Sequence, residues 1–296
     1  MDFELTGAQR EYRDRARVIA QDQLLPGYQA RERDGRIEPE LRRELGRLGL
    51  IAPELPAELG GQGADRLTTG VITEEIGRGD INVAYLQVVG IGLTEPHGGS
   101  DAGMPRLTAV HDGSDWVLDG VKSLSFGHDA AAVVVFGRTG PSTARGRDIS
   151  AFLVPLDGPG VTREPYGDMG TKAVGRGAVH LAGVRIPGDH LLGEPGRGFG
   201  QVMQGFDFSR ALIGLQCLGP AQQTVDETWR YVGTREAFGQ PISLRRHRPV
   251  PAAARPVRLP DRAADRAAAA RRARPADRRR HRPDLQTRHR PAVPRP

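Results

Sequence analysis

Hydrophobic positions in the first ninety residues recur at helical spacing. Thr6 with Gln9 three residues later has the form of a capping box, and Ala8, Tyr12, Ala16 and Ile19 follow along one face. A second helix is predicted from Pro39, with Leu41, Leu45 and Leu48 on one side and Gly49 as its stop. The Gly and Pro content of residues 53–63 reads as loop. A third helix is predicted over Thr68–Arg78, using Val71, Ile72 and Ile76.

After Gly90 the pattern changes. Short β-prone runs at Trp116–Leu118, Ala132–Phe136, Ile149–Leu156 and Val179–Ile186 are separated by Asp-Gly turns predicted at 112–113, 119–120 and 157–158. Strands without long helices between them predict an antiparallel sheet rather than a parallel βαβ one. From Gly198 the period is helical again. Phe199, Met203, Phe206, Ile213 and Cys217 form one stripe, and Arg210 falls on it. Gly219-Pro220 is predicted to kink or break this helix, with a further helical piece to about Val232. The fold class is therefore α+β: an N-terminal helical domain (1–90), a middle antiparallel β domain (91–196) and a C-terminal helical domain (197–243), which the family resemblance given below implies is partial.

Beyond Leu244 the composition shifts. Residues 245–296 hold 17 of the 42 Lys+Arg and 4 of the 36 Asp+Glu, so this segment carries +13 while the preceding 244 residues sum to −7. Arg, Ala and Pro make up 38 of its 52 residues, with no aromatic, no Lys and no Glu, a composition that predicts disorder. One cysteine, Cys217, excludes a disulfide scaffold and a Cys-based zinc site. The longest apolar run has seven residues (130–136), and the N-terminus is acidic, so a cytoplasmic protein with no membrane span is expected. The eight histidines show no metal-ligand spacing.

The sharpest local signal is residues 91–102, IGLTEPHGGSDA. Gly98 and Gly99 allow close backbone approach to a ligand, and Thr94 and Ser100 offer hydroxyls; a tight structural turn is the other reading. Gly196-Arg-Gly198 precedes a helix but lacks the third glycine and the βαβ setting of a dinucleotide loop.

LTEPHGGSDA resembles the LTEP-x-x-GSD signature of flavin-dependent acyl-CoA dehydrogenases. LTGAQREYRDRAR, PAELGGQG and ITEEIGRGD precede it in family order; DGSDWVLDGVKS, RDISAFLVPLDGPGV, the VRIPGDHLLGEPGRGFGQVMQGFDFSRALIGLQCLG stretch and YVGTREAFGQPI follow. The resemblance covers residues 1–243 and implies an FAD enzyme, usually a homotetramer. Such an enzyme removes an α-proton from an acyl-CoA thioester with a carboxylate base. A hydride passes from the β-carbon to flavin N5, and a separate electron-transfer protein accepts the electrons. By that resemblance Leu93 and Thr94 face the flavin, and Gly99 and Ser100 lie near its phosphates or the CoA. Leu124 and Ser125 match the next flavin-touching segment, in a motif one residue shorter than usual. Arg235 and Phe238 match the segment that reaches the flavin of a neighbouring subunit; without the resemblance they read as a solvated helix end with a core Phe. Asp207 and Arg210 match positions that hold CoA, although an arginine on an apolar stripe also fits snorkelling or pairing with a nearby Asp.

Two departures stand out. The chain passes from RGDINVAYLQVVG directly into IGLTEP, where relatives carry a longer helical stretch. The family pattern stops at Ile242-Ser243, before the segment that holds the glutamate base in most branches; another branch places it at the position of Ser209, here a serine. The Arg/Ala/Pro tail predicts a frameshift near residue 244. RGDINVAY and QGFDFSRALIGLQCL resemble the branch acting on cyclohexane- and cyclohexene-carbonyl-CoA, which makes Asp80 the candidate catalytic carboxylate; a surface aspartate at a helix end is the alternative. The expected function is FAD-dependent acyl-CoA dehydrogenation, impaired by the missing segments. The alternatives are a non-catalytic remnant whose basic tail binds nucleic acid non-specifically, and a non-catalytic acyl-CoA binder.

Overall fold

The computed structural model describes residues 4–87, 91–127, 129–141 and 145–244. The predicted junction at residues 88–90 and the tail from residue 245 lie outside the described residues.

The N-terminal part is helical, as its periodicity predicts. Helix α1 (Gly7–Ile19) opens on the Thr6 capping box, with Gln9 N–H donating to Thr6 Oγ1 at 3.2 Å and Gln9 Oε1 accepting from Thr6 N–H at 2.9 Å. It continues without a break through a π-helical turn (Ala20–Leu24) into α2 (Leu25–Asp34), a helix the sequence pattern missed. Pro26 at the start of α2 supplies the reason: its ring excludes an ordinary α-turn against the carbonyl four residues back, and the wider turn accommodates it. Helix α3 (Pro39–Arg47) follows, with Gly49 just past its end at φ 68°. Helix α4 (Arg66–Gly79) is capped by Asp65, which accepts from Thr68 N–H at 2.7 Å, and leads into the short α5 (Ile81–Ala84). Ala16, Leu24, Ile37, Leu45, Ile72 and Ile76 are fully buried among these helices.

Eight strands form the middle sheet: β1 (Ile91–Gly92), β2 (Thr108–Asp112), β3 (Asp115–Leu124), β4 (Ala132–Arg138), β5 (Ile149–Pro155), β6 (Val161–Pro165), β7 (Gly177–Pro187) and β8 (Leu191–Leu192). The order is β6-β7-β3-β2-β4-β5-β8, with β1 paired to β4. All pairings are antiparallel except β1–β4 and the single β2–β4 contact, which are parallel. Alternate residues Trp116, Leu118, Val133, Val135, Phe152 and Val154 fill the core, where the Trp116 and Phe152 rings lie 5.2 Å apart. The Asp-Gly pairs at 112–113 and 157–158 fall between strands, but Asp119-Gly120 does not turn the chain. It lies inside β3, where a Cβ on Gly120 would press on Leu107.

Helix α6 (Gly198–Thr234) is continuous through Pro220, so the predicted break does not occur there. A proline in a helix interior loses one hydrogen bond, but here the helix is clamped against α4 at this point. A Cβ on Gly219 would stand 2.8 Å from Arg78 N, and Gln216 Nε2 donates to Ala84 O at 2.7 Å. The predicted stripe also divides. Phe199, Met203 and Phe206 pack toward the sheet, whereas Ile213 and Cys217 are exposed, because the helix leaves the sheet and turns Leu212, Gln216 and Gly219 onto α4 instead. Arg78 and Asp226 join the two helices at 2.5 Å.

This close crossing predicts opposite effects from one substitution type. Gly219→Ala lowers unfolding stability by about 1–3 kcal/mol through overpacking. Gly205→Ala, with nothing within 4 Å of its Cβ, raises it by about 0.5–1 kcal/mol through helix propensity. Urea midpoints of the two variants check both signs.

Candidate functional site

The signature loop is held by a buried ion pair. Period two in β3 turns Trp116, Leu118, Lys122 and Leu124 inward, so the lysine enters the protein where an apolar residue is expected. Its Nζ meets Glu95 Oε1 at 2.7 Å and donates to Leu93 O at 3.3 Å, and both side chains are almost wholly buried. Glu95 also accepts from the amides of Arg106 at 2.8 Å and Leu107 at 3.0 Å, with His97 Nδ1 3.3 Å away. Burial by itself would raise the Glu95 carboxyl; Lys122 and the two amides outweigh it and hold the group below the ordinary glutamate range. Burial draws Lys122 below the ordinary lysine value despite Glu95. Neither residue figures among the predicted site residues, although an inward lysine in an alternating strand was a legible signal.

This pair sets the loop's outward groups. Leu93 is buried among Phe136, Ile149 and Val202, while Thr94 beside it is exposed. Ser123 N–H donates to Thr94 O at 2.9 Å, which lays the LTEP segment alongside the Lys122–Ser125 segment. Leu124 is buried and Ser125 half-buried at the end of β3. Gly98 has open space where a Cβ would stand, and Gly99 would meet only the Thr94 methyl at 3.6 Å; Ser100 is exposed. The surface so formed offers neutral hydroxyl donors and two positions of bare backbone, with Glu95 turned inward and neutralised and the exposed Asp101 at its far end paired with Arg145. That donor set fits the carbonyls and phosphates of a flavin nucleotide. Among the described residues no cluster of three or more metal-ligating side chains occurs, and no helix is long and apolar enough to cross a membrane.

The start of α6 docks beside this loop. A Cβ on Gly198 would lie 2.8 Å from Ala151 N, so the 196–198 glycines serve close helix-to-strand packing, and Gly196 N–H donates to Ser150 Oγ at 2.8 Å. Phe206 packs with the Leu93 cluster, and the next turn displays Asp207 and Arg210 to solvent. Arg210 is not a buried arginine: it pairs with Asp207 at 2.9 Å and lies over the Phe206 ring at 5.7 Å. Ser209 Oγ donates within its own helix to Phe206 O at 3.4 Å.

Arg235 is the exposed C-cap of α6, its N–H donating to Tyr231 O at 2.8 Å, which is the solvated helix end that its position suggested. Phe238 lies in the hairpin that follows, β9 (Glu236–Ala237) and β10 (Gln240–Pro241), whose two turn residues Phe238 and Gly239 have φ of 57° and 78°. Phe238 is 86% exposed, so it is no core residue of this chain. Asp80 is not a surface aspartate. Its carboxylate is buried, bonds Arg31 Nε at 2.7 Å and caps α5 through Asn82 N–H at 2.8 Å. Burial raises its pKa, with Arg31 and Asn82 pulling the other way. Acting as a base would require Arg31 to release it.

The sequence matches three family models in series: the N-terminal (residues 6–102), middle (90–184) and C-terminal (196–248) domains of acyl-CoA dehydrogenase. The chain belongs to the acyl-CoA dehydrogenase family. It is 31% identical to probable acyl-CoA dehydrogenase YngJ of Bacillus subtilis (strain 168), over 82% of this chain and 73% of that one. It is 32% identical to the mitochondrial short-chain specific acyl-CoA dehydrogenase of Rattus norvegicus, over 81% of this chain and 66% of the rat protein. Among solved structures, a glutaryl-CoA dehydrogenase from Mycobacterium smegmatis in complex with FADH2 superposes with a TM-score of 0.73 at 25% identity, covering 81% of this chain and 69% of that one.

The Glu95 carboxyl is depressed in the folded dehydrogenase-family chain, so its contribution is fully present above its unfolded pKa of about 4.3 and is lost as pH falls through the lower folded value. Glu95→Gln leaves Lys122 buried without a counter-charge, and costs about 3–5 kcal/mol at neutral pH. Urea titrations should show the gap between wild type and variant constant down to about pH 5 and narrowing below about pH 4. A gap of unchanged size at lower pH would show that the pair does not carry this stability.

Proposed function

We propose that this chain binds FAD and an acyl-CoA thioester for α,β-dehydrogenation. The observation that carries the reading is the Glu95–Lys122 pair, because it presents the LTEP–GGS loop and the end of β3 as one hydroxyl-lined surface. Leu93, Thr94, Leu124 and Ser125 would hold the flavin ring region, and Gly99 and Ser100 its phosphates or the CoA. When bound, FAD supplies the hydride acceptor. Asp207 and Arg210, exposed on α6 one turn from the Leu93 cluster, would hold the CoA portion. Arg235 at the C-terminal end of α6 and Phe238 on the hairpin that follows it would complete the flavin site of a neighbouring subunit in a homotetramer. The functional division of the chain is at 90/91, 196/197 and 243/244. A separate electron-transfer protein accepts the electrons, in the cytoplasm.

The proton-abstracting carboxylate is the missing part. Asp80 is held by Arg31, Ser209 has no acid group, and residues 245–296 contain no Glu. The break near residue 90 and the tail after 243 we read as damage to a longer ancestral enzyme, the second through a frameshift; translating the coding DNA across codons 240–296 in the other two frames tests that directly. For the substrate, an alicyclic carboxyl-CoA is our choice on the RGDINVAY and QGFDFSRALIGLQCL matches.

Titration of the full chain with FAD should quench flavin fluorescence, and Gly99→Val should weaken that binding. Mixed with cyclohexanecarbonyl-CoA or butyryl-CoA under anaerobic conditions, the bound flavin should lose visible absorbance about 10²–10⁴-fold more slowly than in the rat short-chain enzyme, the share owed to a general base. Failure to bind FAD at all would reject the proposal. Bleaching at the relative's rate would reject the missing base, and Asp80→Asn would then show whether Asp80 supplies it.

A further inference from the structure

The loop that follows β6 reaches across to β3 beside the signature loop. Tyr166 stands 40% exposed at its start, yet its phenol turns back to the protein and donates to Ser123 Oγ at 3.0 Å. A surface tyrosine can hydrogen-bond to water with no loss of freedom, so holding its ring in one place requires support. That support is present. Tyr166 N–H donates to Arg176 O at 3.0 Å, one step beyond the last β6–β7 partners, Pro165 and Gly177. Arg176 closes the loop through two bonds to Asp168, at 3.0 and 2.6 Å, and Lys172 N–H donates to Glu32 Oε2 at 3.0 Å. Ser123, which receives the phenol, lies in β3 between the buried Lys122 and Leu124. Strand alternation turns its side chain to the face opposite the buried ion pair, while its backbone pairs with Ala178 on one side and donates to Thr94 O on the other.

We propose that Tyr166 is a positioning residue for the flavin ring and acts through Ser123; the inference rests on FAD binding at the hydroxyl-lined surface. A serine hydroxyl has one proton to donate and two lone pairs. Tyr166 occupies a lone pair, and among the described residues nothing accepts the Ser123 proton. With the phenol fixed on one side, that proton is directed away from it and is left for an acceptor outside the protein. Thr94, Leu124 and Ser125, which would hold the ring region, are its immediate neighbours. The polar end of a flavin ring offers such acceptors in its carbonyl oxygens and ring nitrogens. Phenylalanine at position 166 would keep the aromatic ring and remove the phenol proton. The serine hydroxyl would then turn freely, and the ligand would compete with water for it. A neutral hydrogen bond held in this way changes affinity by about two- to tenfold.

The test titrates the full-length wild type, Tyr166→Phe, Ser123→Ala and the double variant with FAD, following flavin fluorescence and the visible absorption bands of the bound flavin. Urea midpoints are measured on the same chains without ligand. Tyr166→Phe and Ser123→Ala should each weaken FAD binding about two- to tenfold and move the bands in the same direction. The double variant should bind as Ser123→Ala does alone, because the phenol has no effect once the serine hydroxyl is gone. Met169→Ala, at a fully exposed position on the same loop, should match the wild type. Tyr166→Phe with wild-type affinity and bands overturns the proposal and leaves FAD binding standing. So does a lowered urea midpoint with affinity unchanged, which makes the bond a loop latch only. Losses that add in the double variant overturn the action through Ser123. A wild type that binds no FAD rejects the FAD reading and this inference with it.

Discussion

A single buried charge pair organises the middle of this protein. Taking Lys122 and Glu95 out of water costs several kcal/mol per ion, which their mutual attraction offsets only when the remaining hydrogen-bonding capacity is also met. Here it is met: the carboxylate collects an ammonium and two backbone amides, and the ammonium also reaches Leu93 O. Those partners come from β3, from the signature loop and from the segment entering β2. Satisfying the pair therefore fixes where three stretches of chain meet, and the outward face of the loop follows from the inward demand of its glutamate.

The helical part repeats the device. Arg31 and Asp80 are both buried and bonded, Arg31 also donates to Leu24 O, and Asp80 caps the next helix. This pair ties α2 to the junction of α4 and α5. It holds the carboxylate that resembles a candidate base by sequence in a buried ion pair. A charge retained in an interior for its geometry is poorly placed to exchange protons, since losing its charge would strand the arginine.

Against these tightly satisfied regions, α6 is only half used. One side is pressed so closely on α4 that glycine is required at 219, and the other shows Leu218, Val225 and Trp229 to solvent. The helix stays continuous through Pro220 because tertiary packing outweighs a local propensity of about 3 kcal/mol.

By itself the sequence determined the order of helical and β segments, the α1 cap, the loop of small and hydroxyl residues, and the family, because each rests on local spacing or on residues adjacent in the chain. It placed Leu93, Thr94, Gly99 and Ser100 in one motif without their environment. Tertiary structure alone decided the burial of Lys122, Glu95, Arg31 and Asp80, the exposure of Arg210 and Phe238, and the unbroken run of α6. Each depends on what lies opposite across the fold, and a helical stripe or a strand alternation gives the facing direction but not the partner. Arg210 shows the difference: its period put it on the apolar side of α6, and the helix's change of partner from sheet to α4 put it in water.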